Sequence, residues 1–497
     1  MEGRTTVVET LESFLKRNTV QLDLTYRQIW RISAPIMLGS AAQNVIALSD
    51  AVLLYHLGEV EFAAIGFVGV FYITVAAIGY GFSRGGQIMI ARRMGERRPA
   101  AVGYTFHAML LFELALAVIM WLFMHFATPW FFHLFLTHSP EIYQKSLDYI
   151  HYRSYGVFFS YAGVALISLY AGIARPAIIL LDTVILALVN LTLNYLLIFG
   201  KFGFPQMGIG GSGLASTIAE GIAFVFFAIY ILLDKKNRPL GLFRLQRSTE
   251  QVLVQPRVAP LNPDVLDTLE PDLVYHPNET IWQVMRHQLR ISLPVVAQAA
   301  VSQGSWVFFF GMVENLGQHA LAVSNLARTV YLLLSIPLWG FSAGVNTLVS
   351  NLIGQGRHHE VLLAAWKTGK LCFFVSMILS VPILFFPEFF LYPLLGKSDM
   401  SLIGQTQPIF YVLLVILALA SFGSVLNNTL AGTGATWFGL QLQLVTISVY
   451  LGYIYSVTTF TTWPLSWVWA AEILYWLVTI LLVIWYLRSE RWHQVHF

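Results

Sequence analysis

The chain has 497 residues, of which 57% are hydrophobic and only 11% charged, with a mean hydropathy of +0.66. An average soluble domain carries about a quarter charged residues, so the composition excludes a soluble globular class and points to a polytopic membrane protein. The net charge of +3 is small and its basic residues lie between hydrophobic stretches, which excludes a nucleic-acid partner, and the single cysteine, Cys372, excludes an internal disulfide framework.

Residues 1–28 read as a polar arm without a secretory signal pattern, so the first span is expected to be its own insertion signal. Within it, Val8, Leu11, Leu15 and Val20 are spaced for a short amphipathic helix on the membrane surface. Hydropathy then predicts twelve spans. Six lie at 29–57, 62–83, 101–124, 147–171, 177–199 and 208–233, and six more at 284–313, 320–344, 361–385, 405–431, 436–458 and 464–487. The aromatic stretch Pro129–Leu136 is expected at the interface between the third and fourth spans. The expected domains are a first lobe at 29–233, a loop at 234–283, a second lobe at 284–487 and a tail at 488–497. The loop contains Pro239, Pro256, Pro260, Pro263, Pro271 and Pro277, too many for a packed core, and reads as a tether.

Lys and Arg set the orientation. Arg4, Lys16, Arg17 and Arg27 mark the arm; Arg84, Arg92, Arg93, Arg97 and Arg98 mark the segment after the second span. Seven more, from Lys235 to Arg286, mark the central loop and the residues leading into the seventh span, while Arg488 and Arg491 mark the tail. The alternate loops hold little beyond Lys145, Lys201 and Lys397. Both termini and the central loop are therefore expected in the cytoplasm, with the chain multi-pass in the cell (inner) membrane.

The chain repeats itself at an offset of 259 residues. Arg31-Ile-Ser-Ala-Pro35 returns as Arg290-Ile-Ser-Leu-Pro294, and Leu57-Gly58 as Leu316-Gly317. Gly81-Phe-Ser with Gly95 and Arg98 returns as Gly340-Phe-Ser with Gly354 and Arg357, all in step. An even number of spans per copy makes the repeats parallel, related by an axis along the membrane normal. The expected fold is an all-α polytopic membrane protein, with twelve transmembrane helices in two six-helix lobes related by that pseudo-two-fold axis. Transporters place their sites at such repeat interfaces.

One copy keeps a charge that the other lacks: the second copy has Phe309 where the first has Asp50. An intramembrane carboxylate costs at least a few kcal/mol and marks a functional candidate. Counting along the spans puts Asn190 and Asn194, one turn apart, at the same depth, with Ser212, Ser216 and Thr217. These groups are candidates to couple a cation or proton. Oxygen ligands suit Na⁺, with Asp50, Asn190 and Asn194 as its candidate ligands; Asp50 is equally suited to carry H⁺. Burial disfavours a carboxylate's charged form, whereas a cation or amide donor favours it, and an ion-coupled switch needs that competition. The alternative is that Asp50 merely anchors the amides between helices.

Gln43 and Asn44 share a stripe with Asp50 and join Glu220, Trp306 and Gln303 as substrate-cavity candidates. Glu220 and Glu472 sit at matching repeat positions; Asp182 is within reach of Arg175, and Glu113 and Arg328 lack an assigned role. Gly208-Ile-Gly-Gly-Ser-Gly213 lacks the Lys-Ser/Thr of a phosphate loop and reads as close helix packing. No ATP, zinc or Gly-x-Ser-x-Gly motif is present, so neither an enzyme nor a cofactor is expected. A non-transporting membrane sensor stays open.

Asn190-Leu-Thr-Leu-Asn194 through Gly200-Lys-Phe-Gly-Phe-Pro205-Gln-Met-Gly208, then Gly213-Leu-Ala-Ser-Thr217, resembles the MATE (multidrug and toxic compound extrusion) family. The Pro35…Asp50 span with Leu57-Gly58 and the two Gly-Phe-Ser segments resemble it too, so the likeness covers most of the chain. It implies two lobes forming a V, alternating access, and export of amphipathic, often cationic small molecules in exchange for H⁺ or Na⁺. It implies an ion site in the first lobe that includes Asp50 and Asn190, with Asn194 as in the NorM-like bacterial branch. A monomer in contact with membrane lipid is expected. NorM-like members also carry acids in spans seven and ten; here those regions hold Ser302, Gln303, Ser421, Ser424, Asn427 and Asn428, and the central loop is longer than usual. A lipid-linked oligosaccharide flippase of the same superfamily is the rival transporter reading.

Overall fold

The computed structural model describes residues 21–136, 139–242, 251–253, 273–275, 280–389, 400–489 and 491–494. The amphipathic reading of the arm at Val8–Val20 lies outside them, as does most of the central loop.

Twelve spans are present among the described residues, eleven as continuous helical segments and one as a bent pair. In the first lobe they are α1 (Tyr26–Tyr55), α2 (Glu59–Gly95), α3 (Pro99–Leu122), α4 (Pro140–Gly172), α5 (Ala177–Phe199) and α6 (Gly208–Leu233). In the second they are α7 (Ile281–Glu314), α8 (Gln318–Leu334 and Ile336–Gly354), α9 (Val361–Phe385), α10 (Met400–Gly432), α11 (Thr436–Phe460) and α12 (Ala471–Arg488, after the short helix Leu465–Trp469). Local chemistry sets many of the ends. Thr25 caps α1 by accepting from the Gln28 backbone N–H at 3.2 Å, and Thr280 with Gln283 forms a capping box on α7. Gly200, at φ +65°, stops α5 in the left-handed conformation that glycine adopts without strain.

Three expectations change. First, α2 runs to Gly95, so Arg84 lies inside a helix and not in a loop; its guanidinium bonds the Asn428 side chain of the other lobe. Second, the aromatic stretch Pro129–Leu136 between the third and fourth spans is not free-standing but continuous with the third span. A π turn at Phe123–Ala127 carries α3 into the helix Thr128–Phe135. Third, the central loop begins as a docked turn: Asn237 is buried and donates to the Tyr170 hydroxyl at 2.7 Å, and Leu240 and Leu242 are buried below it. Farther on, Gln251–Leu253 pairs antiparallel with Leu273–Tyr275.

The copies differ where proline intervenes. α2 and α8 cover matching residues, but α8 bends by 43° at Ser335, just before Pro337. Proline lacks the N–H and its ring clashes with the preceding turn; Ile78 occupies the matching position and α2 stays unbroken.

The lobes meet with two-fold symmetry. α1 packs on α8 as α7 packs on α2, and α2 and α8 cross. Small residues make the contact possible. Gly81 and Gly85 face Val296 and Ser292, while Gly340 and Gly344 face Met37 and Ser33. At the crossing Gly95 lies on the Asn351 carbonyl and Gly354 on the Arg92 carbonyl. Every pair repeats at the 259-residue offset. The interlobe hydrogen bonds lie in the same Arg-rich half: Ser292 to the Phe82 carbonyl (2.8 Å), Gln87 to Thr347 (2.8 Å) and Asn351 to the Ala91 carbonyl (3.2 Å).

The described end of the arm is pinned to this junction, with Leu22 and Leu24 buried and Asp23 exposed between them. Gln21 donates to the Gly95 carbonyl at 3.0 Å, and the Leu22 backbone N–H donates to Asn351 at 3.1 Å. Gln355 and Arg357 both donate to the Leu22 carbonyl at 3.3 Å, and Lys367 to the Leu24 carbonyl at 2.9 Å. The Leu22 side chain, 1% exposed, belongs to the core of the second lobe. Leu22→Ala is therefore expected to cost about 2–5 kcal/mol. Asp23→Ala, at a side chain 79% exposed, should stay within about 0.5 kcal/mol. Thermal unfolding of the two purified variants checks the contrast.

Candidate functional site

Three helices of the first lobe bring the predicted polar groups together. α1 supplies half-buried Asp50, α5 supplies Asn190 and Asn194, and α6 supplies Ser212 and Ser216. Asn194 Nδ2 donates to Asp50 Oδ1 at 2.6 Å and to Asn190 Oδ1 at 2.9 Å. Asn190 Nδ2 in turn donates to Ser216 Oγ at 3.0 Å. The four groups form one chain from carboxylate to hydroxyl. Their spacing of four on α5 puts both amides on the face turned to α1 and α6. Asn194 is 0% exposed, yet its Oδ1 has no hydrogen-bond partner among the described residues, nor does Ser212 Oγ. A carboxylate and several uncommitted oxygens are the donor set a small hard cation takes, and the same set accepts a proton at Asp50. The residues present therefore fit either ion.

Other candidates are placed elsewhere. Thr217 turns away and donates to the Tyr152 carbonyl of α4 at 3.0 Å, so it braces two helices. Asn44 returns to its own helix at the Ser40 carbonyl, 2.9 Å away. Gln43 is exposed and donates to the Tyr80 hydroxyl at 3.2 Å. Trp306 stacks on Phe310 at 5.9 Å and joins Phe309, Tyr331 and Trp469 in an aromatic cluster of the second lobe. Gln303 is exposed on the same helix. At Phe309, 0% exposed, the second lobe thus has an apolar core where the first lobe has its acid.

Glu220 has a partner that sequence reading missed. Arg153 of α4 holds it in a bidentate pair, Nη1–Oε2 2.7 Å and Nη2–Oε1 2.5 Å. The guanidinium also lies 3.9 Å from the centroid of the Tyr72 ring. A signal was available: Arg153 falls within the predicted fourth span, and an arginine at membrane depth requires a counter-charge. Glu472, its acid's repeat partner, is instead buried among Tyr331, Tyr450 and Tyr475. Asp182 does not pair with Arg175, which lies 3.9 Å from Asp234. Asp182 Oδ1 is buried without a hydrogen-bond partner among the described residues, and its residue lines a pocket with Gln43, Tyr80, Ser160, Glu220 and Phe224. Glu113 accepts from Ser83 at 2.8 Å, and Arg328 lies over the Phe310 ring at 5.2 Å.

The family model MatE matches residues 35–196 and 294–458. The chain belongs to the MatE family. The two MatE segments start at Pro35 and Pro294, the same 259 residues apart as the internal repeat. Among curated MatE relatives, "Probable multidrug resistance protein NorM" of Agrobacterium fabrum is 25% identical over 341 residues, covering 67% of this chain and 65% of the relative. The chain therefore spans just under two thirds of that relative's length. The protein of the same name from Thermotoga maritima is 20% identical over 430 residues, 85% of this chain and 83% of the relative. A solved structure described as "Outward-facing conformation of a multidrug resistance MATE family transporter of the MOP superfamily" superposes with a TM-score of 0.78 at 20% identity, over 96% of this chain and 98% of that one. The MatE fold, two six-helix lobes packed through one end, is common to both.

Proposed function

We propose that this protein is a secondary antiporter, not an enzyme, that exports amphipathic organic cations in exchange for H⁺ or Na⁺ by alternating access. The observation that carries the reading is the buried Asp50–Asn194–Asn190–Ser216 chain, a single-acid ion site in only one of two repeated lobes. The relatives' names support export of drugs as the activity. An ion at this site biases the arrangement of α1, α5 and α6, and only a difference in affinity between two lobe arrangements does work on the second ligand. The lobes, 29–233 and 284–487, rock about the Arg-rich end where the glycines cross, with both termini and the 234–283 loop on the cytoplasmic side of the cell membrane. The transporting unit is a monomer and needs no cofactor.

The substrate pocket is the one lined by Gln43, Tyr80, Asp182, Glu220 and Phe224. Carboxylates beside aromatic rings suit a lipophilic cation. Asp182→Asn is expected to weaken binding of such a cation about tenfold, or 1.4 kcal/mol, with little change in melting temperature. Equilibrium binding of tetraphenylphosphonium checks it. The proposed activity itself is tested by efflux of a fluorescent organic cation from vesicles holding the purified chain, under an imposed pH gradient and then a Na⁺ gradient. Acceleration by one gradient names the ion; no response to either sinks the reading.

A further inference from the structure

At its Arg-rich end the second lobe holds a piece of peptide. Residues 21–24 lie in no helix or strand, so their peptide groups need partners from elsewhere in the fold. Leu22 finds them on side chains of the second lobe. Its N–H donates to Asn351 Oδ1 at 3.1 Å, and its carbonyl accepts from Gln355 Nε2 and Arg357 Nη1, each at 3.3 Å. These side chains hold one another in place. Glu360 grips Arg357 in a bidentate pair at 2.6 and 2.7 Å, Arg357 donates to Gln355 Oε1 at 3.0 Å, and Gln355 donates to Asn351 Oδ1 at 2.7 Å. The Leu22 side chain fills the second-lobe core, and Lys367 donates to the Leu24 carbonyl at 2.9 Å. The first lobe carries a different set at the matching positions. Asn351, Gln355 and Arg357 correspond to Arg92, Glu96 and Arg98, where Glu96 lies 4.0 Å from Arg92 and 3.6 Å from Arg98 in an ion cluster. The arm's own counterpart, residues 280–283, is wound into the capping box of α7. Repetition therefore does not account for the peptide-holding set, which belongs to the lobe opposite the arm.

We propose that Asn351, Gln355 and Arg357 form a binding site for the chain's own arm, and that residues 21–24 seated there clasp the Arg-rich end of the two lobes shut. This rests on the antiporter reading, in which that end opens in the other half of the cycle. The arm runs directly into α1 of the first lobe, and Gln21 adds a bond to the Gly95 carbonyl of the same lobe at 3.0 Å. Leu22 and Leu24 are bonded to the second lobe. Asn351 ties the same place again, donating across the junction to the Ala91 carbonyl at 3.2 Å. Parting the lobes here requires the peptide to leave its site, which strips three hydrogen bonds from Leu22 and draws its side chain out of the core. A contact made in only one of two arrangements shifts the population toward that one. The arm is thus a latch on the closed end, and its release is a step of the cycle.

The test reads the separation of the lobes at this end in the full-length chain. Nitroxide labels on Lys236→Cys and His359→Cys, at exposed positions of the first and second lobe, report it by pulsed electron resonance; the native Cys372 is buried and stays in place. With the arm intact, the short distance of the closed end is expected to dominate. Leu22→Ala should raise the ratio of long to short distances about tenfold. The double variant Gln21→Ala with Lys367→Met removes one bond to each lobe without touching a core side chain, and should move the ratio in the same direction. An unchanged ratio in Leu22→Ala, or in the double variant if Leu22→Ala does not fold, overturns the clasp. Efflux of a fluorescent organic cation by the unlabelled wild type is measured alongside. Efflux with an unchanged ratio leaves the antiporter reading intact and removes only the clasp. A wild type that exports under neither a pH nor a Na⁺ gradient overturns the antiporter reading, and the place of the clasp in a transport cycle with it.

Discussion

Asp50→Asn is expected to lower gradient-driven export at least about a hundredfold, equivalent to some 2.7 kcal/mol of lost coupling. The substitute has the same shape, and its amide oxygen accepts from Asn194 as Asp50 Oδ1 does at 2.6 Å. The hydrogen-bonded chain through Asn190 to Ser216 is therefore kept, and stability should be unchanged or higher, since a buried carboxylate is expensive to keep. Only the charge that a proton or Na⁺ answers is removed. Efflux from vesicles, with the melting temperature measured on the same preparation, separates lost coupling from lost folding. A variant that exports at the wild-type rate would show that Asp50 is only an interhelical anchor.

Gly95→Leu is expected to abolish the lobe arrangement seen here, and Gly354→Leu to do the same from the other side. A Cβ at either position runs into a backbone carbonyl of the opposing helix, Asn351 or Arg92, and backbone cannot rotate away as a side chain can. Overpacking typically costs about 1–3 kcal/mol, which shifts a two-state population by roughly 5- to 150-fold. The two lobes have cores of their own, so the penalty falls on their junction and not on either fold. Spin-label distances across the end of the lobes opposite the glycine crossing should shorten in the variants, while helix content by circular dichroism stays unchanged. Wild-type distances in both would show that the crossing tolerates bulk and does not hold the arrangement.

Hydropathy and repetition in the amino-acid sequence determined the twelve spans, the pairing of the lobes and the likeness to one family. Each is a property of consecutive residues: a bilayer-crossing helix needs about twenty apolar residues whatever it packs against. The same counting placed Asp50, Asn190 and Asn194 at one depth, because rise per residue is constant along a helix. Depth alone did not fix rotation. Whether a side chain at that depth turns toward the acid depends on how helices pack, which is why Ser216 joins the chain and Thr217, one residue on, does not. Polar helix also escapes a hydropathy window: Ser83-Arg84-Gly85-Gly86 reads as a span's end, yet its backbone bonds continue to Gly95 because the opposing lobe buries them. Only the tertiary structure decided that Arg153 belongs to Glu220, 67 residues away, and that Leu22 is core. Partners so distant in sequence are selected by where packing brings the helices, and a charge buried at that depth must take the counter-charge the packing offers.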